Sequence, residues 1–111
     1  IEYDYSEPVP DFDFLEAEAT RDSALFDSSV ACMHAAPYSE QFNNNVLKPF
    51  NYYVMNFPNL MFCLYGHGHQ IDEHDFFNNG IIYYEVAAAK KRKYRIFTIT
   101  PNGYANEVIS L

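Results

Sequence analysis

Gly66-His67-Gly68-His69 places two imidazoles two residues apart, directly behind the apolar run Asn59-Leu60-Met61-Phe62-Cys63-Leu64-Tyr65. Neutral imidazole is a ligand for zinc, manganese and iron. A divalent ion held by such rings lowers the pKa of its bound water toward about 7, which makes hydroxide available at neutral pH. Without a Cβ, the two glycines let the backbone turn sharply, so residues two apart need not point to opposite faces as they would in a strand. Both rings can then approach one centre.

A third imidazole has a similar setting. Ser28 to Met33 is a short apolar segment that ends at His34 and is broken soon after by Pro37. Both apolar runs read as buried strands, and ligands of α/β proteins collect at the carboxyl ends of strands. Between them, Val46, Leu47, Phe50, Tyr53, Val54 and Phe57 recur at three- and four-residue spacings, which predicts a helix with one apolar stripe. Pro49 must lie in its first turn or kink it, and Pro58 closes it. A strand-helix-strand unit sets its strands parallel with their carboxyl ends on one edge, so His34, His67 and His69 are expected to converge. His74 is left outside this set.

The remaining elements frame that unit. Residues 1–10, with Pro8 and Pro10, read as an irregular lead-in. A helix is expected from Asp11 and should fade before Asp27, with Asp13 and Glu16 spaced as a capping box and Phe12, Leu15 and Ala19 on one face. Gln70 to Gly80 reads as a polar loop. Ile81 to Val86, Tyr94 to Thr100 and Glu107 to Leu111 are expected to form an antiparallel meander, with a tight turn at Pro101-Asn102-Gly103.

With 111 residues, the chain is long enough for one small domain, and its 49% hydrophobic and 18% aromatic content is that of a folded core. Ile1 stands where an initiator methionine would, so the chain is expected to be a piece of a longer polypeptide. A net charge of −8 argues against a nucleic-acid backbone or an anionic membrane as partner, since both demand a basic face. The basic residues Lys90, Lys91, Arg92, Lys93 and Arg95 read as a solvated turn between strands. No apolar run is long enough to span a bilayer. Cys32 and Cys63 each fall in an expected buried strand and imply no disulfide framework, which leaves the redox compartment open.

Other chemistries find less support. Asp11 and Asp13 read as a helix start, and Asp72-Glu73-His74 as an exposed loop rather than an extra ligand or proton shuttle. No serine occupies a nucleophile elbow, and four glycines build no phosphate loop.

Val30-Ala31-Cys32-Met33-His34-Ala35-Ala36-Pro37, followed about thirty residues on by Phe62-Cys63-Leu64-Tyr65-Gly66-His67-Gly68-His69, resembles the C-terminal half of the calcineurin-like metallophosphoesterases. The strand-His-x-x-Pro and strand-Gly-His-x-His signatures stand in the family's order. The stretch from Asn79 to Leu111 is similar to the terminal strands of bacterial members. The resemblance implies a partial α/β/β/α sandwich and, in the complete protein, two divalent ions of manganese, iron or zinc that hydrolyse a phosphate ester. It also implies that His34 and His67 bind one ion and His69 the other.

The family's other ligands come from an N-terminal half with Asp-x-His, Gly-Asp-x-x-Asp and Gly-Asn-His-Asp/Glu motifs, and this chain has no Gly-Asp or Gly-Asn-His. Asp72-Glu73-His74 matches Asp-x-His literally but falls after the histidine turn. The 111 residues are therefore expected to hold half a site, to be inactive alone, and to need the missing half as partner. Two rival expectations are a mononuclear three-histidine zinc hydrolase and a non-enzymatic interaction domain that self-associates as a homo-oligomer through uncovered sheet.

Overall fold

The structure, a computed structural model, describes residues 9–25, 27–86 and 91–111. The expected lead-in therefore lies outside the described residues except at Val9 and Pro10, and so does Lys90. Helix α1 spans Phe12–Ala19. Its cap is Asp11, whose carboxylate accepts from Phe14 N at 3.1 Å, so the capping box expected at Asp13 gives way to a cap two residues earlier. The helix stops at Thr20, well short of Asp27, where the Thr20 hydroxyl and amide both turn back to the Glu16 carbonyl. A 3₁₀ turn at Ser23–Leu25 leads into strand β1, Ser29–Met33.

Asn43 caps a 3₁₀ turn, Asn44–Val46, that opens into α2, Leu47–Met55. Pro49 falls in the first turn of α2, where an amide would have no intrahelical partner. Val46, Phe50 and Val54 form the buried stripe, while Leu47, Tyr53 and Phe57 pack beside it. Strand β2, Leu60–Tyr65, then runs parallel to β1, with Ala31 beside Cys63 and Met33 beside Tyr65. The strand-helix-strand unit is formed as its periodicities imply.

Two expectations fail downstream. Asp72–His74 is a strand, β3, rather than a loop, and it pairs antiparallel with β4, Tyr83–Glu85. Strand β4 in turn lies parallel to β2, with Tyr65 beside Glu85, so it belongs to the first sheet and not to a meander. All three β4 residues are buried, the signature of a strand covered on both faces rather than one at a half-solvated rim. The sheet order is β1-β2-β4-β3. The Asp75 carboxylate, accepting from the amides of Asn79 and Gly80, shapes the β3–β4 turn.

The other two strands of the expected meander, β5 at Lys93–Thr100 and β6 at Gly103–Ser110, form a separate two-stranded antiparallel sheet. Its turn is the expected one, with Gly103 at φ 143°. Strand β6 begins four residues before Glu107. Lys93 and Arg95 are strand residues and not part of a solvated turn. The Arg95 guanidinium lies 4.9 Å from the Tyr84 ring centroid.

Residues alternate across the first sheet. Ala31, Met33, Cys63, Tyr65 and Tyr83 face α1 and α2, whereas Phe62 and Tyr84 face the hairpin and meet Phe97 and Tyr104. Among the described residues the fold is mixed α/β: two α-helices, a mixed four-stranded sheet, and an antiparallel pair on the sheet's far side. Cys32 pairs with Leu64 rather than Cys63, so the thiols are on opposite faces and both are free. Cys32 is exposed, contrary to expectation, because β1 is an edge strand among the described residues.

Candidate metal centre

Strands β1 and β2 carry the ladder one step past their ends, where Gly66 N donates to the His34 carbonyl at 3.1 Å. That bond fixes the start of the histidine turn against the residue that bears the third ring. Gly68 N then donates to the Gly66 carbonyl at 2.8 Å, closing a three-residue turn around His67. The left-handed positions are His67 at φ 68° and His69 at φ 57°, not the glycines. Histidine tolerates that region better than most side chains, and such strain gathers at functional sites.

His34 Nε2 and His67 Nδ1 stand 3.1 Å apart, with ring centroids 5.0 Å apart and planes at 66°. One neutral ring donating to the other satisfies this distance. So does a shared cation, because two ligand bonds of about 2.0–2.1 Å at octahedral to tetrahedral angles separate the nitrogens by about 2.9–3.4 Å. His69 is exposed, and no hydrogen bond or ring contact joins it to the pair among the described residues. Among those residues no three His, Cys, Asp or Glu side chains converge tightly enough to hold a metal ion. The pair has the spacing of two ligands on one ion, and among the described residues no full ligand set is assembled.

Beside the pair, on the helix-facing side of the sheet, is a pocket of about 260 Å³ bounded by His67, Gly68, Tyr38, Phe76, Asp72 and Glu85. Glu85 is its floor, 3% exposed. A Cβ placed at residue 68 would run into the Glu85 carboxylate, so any larger residue there needs that side chain to shift; the reason is close approach, not φ. Tyr65 stands beside Glu85 in the β2–β4 register, and burial, then the negative charge of Glu85, pushes the phenol's pKa well above its usual range. Across β3, His74 Nε2 meets Asp72 Oδ2 at 2.9 Å. The Asp72 carboxyl is held below its ordinary value by the Glu73 amide and then by His74.

Glu85 and Tyr65 were not singled out by the sequence, and Asp72 and His74, read there as an exposed loop, form a pair across β3. The available signal was Glu85 itself, a charged side chain within the apolar segment Ile81 to Val86 at the sheet edge that holds the histidines. A larger apolar groove of about 490 Å³ runs along β1 under α1 and α2, lined by Leu15, Ala31, Phe42, Phe50 and Val54, with His34 at its end. Among the described residues no helix is long and apolar enough to cross a membrane. The chain matches no family model, no curated protein and no solved structure.

Proposed function

We propose that this chain contributes to metal-dependent hydrolysis of phosphate esters, as the C-terminal portion of a metallophosphoesterase domain. The observation that carries the reading is the 3.1 Å approach of His34 and His67 at the carboxyl ends of two parallel strands. In this reading those two rings bind one ion and His69 turns toward a second, with manganese, iron or zinc as the resident metals. A divalent ion there supplies Lewis-acid activation of water. The chain itself contributes the orientation of the rings: the Gly66–His34 backbone bond locks one against the other, and the buried Glu85 backs the turn. The bridging carboxylates come from a complementary polypeptide seated at the β1 edge of the sheet, which is unpaired among the described residues, over the apolar groove.

The test is p-nitrophenyl phosphate hydrolysis with added manganese, by the 111 residues alone and by the full product of the gene that encodes them. Turnover is expected only from the full product, with a loss of at least about 100-fold in H34A and H67A, the scale of removing a group that stabilises transition-state charge. Absence of turnover in the full product, or turnover indifferent to both substitutions, overturns the reading. One tightly bound zinc in the 111 residues would instead favour a mononuclear three-histidine site.

A second reading draws on the same open edge. A chain that self-associates through β1, with no hydrolysis in any form, would be an interaction domain; light scattering on the metal-free protein distinguishes a monomer from such an assembly.

A further inference from the structure

We propose that the pocket between His67 and β3 is a binding site for an alkylammonium group. Coupled to the phosphoesterase reading, on which this clause alone rests, it makes the substrate an ester whose organic part carries a positively charged amine.

The pocket floor is a carboxylate without a counter-charge. Glu85 is 3% exposed and forms no ion pair among the described residues, and the neutral Tyr65 stands beside it in the sheet register. A carboxylate offers about four acceptor positions, and Glu85 lines the cavity. Burying a charge is costly unless it is paired, and the pocket provides room for the pair to come from a ligand. Neighbouring cations are committed elsewhere. Arg95 lies on the opposite face of the sheet, over Tyr84 and donating to the Asp72 carbonyl, and His74 is engaged by the Asp72 carboxylate.

The walls fit an organic cation. Tyr38, Phe76 and Tyr65 form a connected set, with Phe76 centroids 6.1 Å from Tyr38 and 5.9 Å from Tyr65. Aromatic faces around a carboxylate are the composition that receives substituted ammonium groups. No lysine or arginine lines the cavity among the described residues. The Ser39 hydroxyl oxygen, on the same wall, is buried and has no hydrogen-bond partner among those residues. At about 260 Å³ the cavity is smaller than the roughly 300–1,000 Å³ of pockets for drug-sized ligands, so it suits a compact group. A bare metal ion is the poorer fit, since no three donor side chains converge here.

The test is a ¹H–¹⁵N NMR titration of the full chain with choline, with its uncharged isostere 3,3-dimethylbutan-1-ol, and with zinc chloride alone. Choline is expected to shift the amides of Tyr38, Gly68 and Phe76 saturably, with the alcohol weaker by about tenfold or more. E85Q is expected to lose choline binding by a similar factor, and Y38L to weaken it. Equal binding of choline and the alcohol, no saturable shift with choline, or zinc alone perturbing these residues while choline does not, would each overturn the proposal. The two ligands are compared on the unsubstituted chain, so the result stands even if E85Q fails to fold. Choline binding without phosphatase activity in the full gene product would remove the phosphoesterase reading and leave this site in place.

Discussion

His67 and His69 take up the left-handed backbone conformations while Gly68 between them does not, which divides the labour of the turn in an unexpected way. The histidines accept strain of about 1–3 kcal/mol each to re-aim their rings. Gly68 supplies clearance for the Glu85 carboxylate. Gly66 is under no such pressure, since a Cβ there would meet nothing within 4 Å. It follows that G68A should destabilise the chain by about 1–3 kcal/mol through overpacking against a buried group. In an E85A background the same change should cost much less, because the obstruction is gone. A double-mutant cycle by urea denaturation reads this coupling directly. Additive losses would show that Gly68 serves backbone flexibility alone, with no part for Glu85.

At the scale of elements, the hairpin is attached to the sheet by rings rather than by strand pairing. Phe97 stacks on Phe62 with centroids 4.3 Å apart and planes at 13°, and the Tyr84 and Tyr104 hydroxyls meet at 2.9 Å. F97A should therefore cost about 2–4 kcal/mol, from lost area plus the gap left against Phe62. Hydrogen exchange should show β5 and β6 losing protection before β1 and β2 do; uniform loss would contradict this. The same contrast explains what the sequence made legible. The strand-helix-strand unit could be read because β1, α2 and β2 each carry their own period and are joined in order. Strand β4 could not be placed that way, since its pairing with β2 skips β3 and depends on Tyr83 and Tyr84 being covered from both sides. Strand β3 was hidden because Asp72, Glu73 and His74 are polar residues paired only at an edge. Of the candidate site, the approach of His34 to His67 could be read from strand order, whereas Glu85 needed the sheet.

For the whole molecule, the distribution of perturbed groups sets which side of neutrality threatens the fold. On the acid side, Asp72 is held below its ordinary 3.8, so its contribution is present above that value and is lost as pH falls through the folded-state value. With Asp72 and His74 side chains 39% and 46% exposed, solvent screens that pair and the effect is small. On the alkaline side the shifted groups are buried, except Tyr104, which is half-buried. Burial pushes the Cys63 thiol from 9.0 up to about 12, only partly offset by the nearby Tyr83 hydroxyl, and burial likewise raises Tyr83, Tyr65 and Tyr104 above the usual phenol value. Each of these groups is neutral when protonated, and the folded chain holds its proton more tightly than the unfolded chain does. Their stabilisation is complete below about pH 9, and for Cys63 it drains away between 9.0 and about 12 as the unfolded chain alone gives up the proton. The net charge of −8 adds self-repulsion in the same direction as further protons leave. Thermal unfolding followed from pH 7 to 11 should show Tm falling steeply above about pH 9, with C63A falling less steeply over the same range because one titrating group has been removed. A Tm that stays level to pH 11, or a C63A profile parallel to the parent, would mean that these buried hydroxyls and the thiol do not govern the alkaline limit.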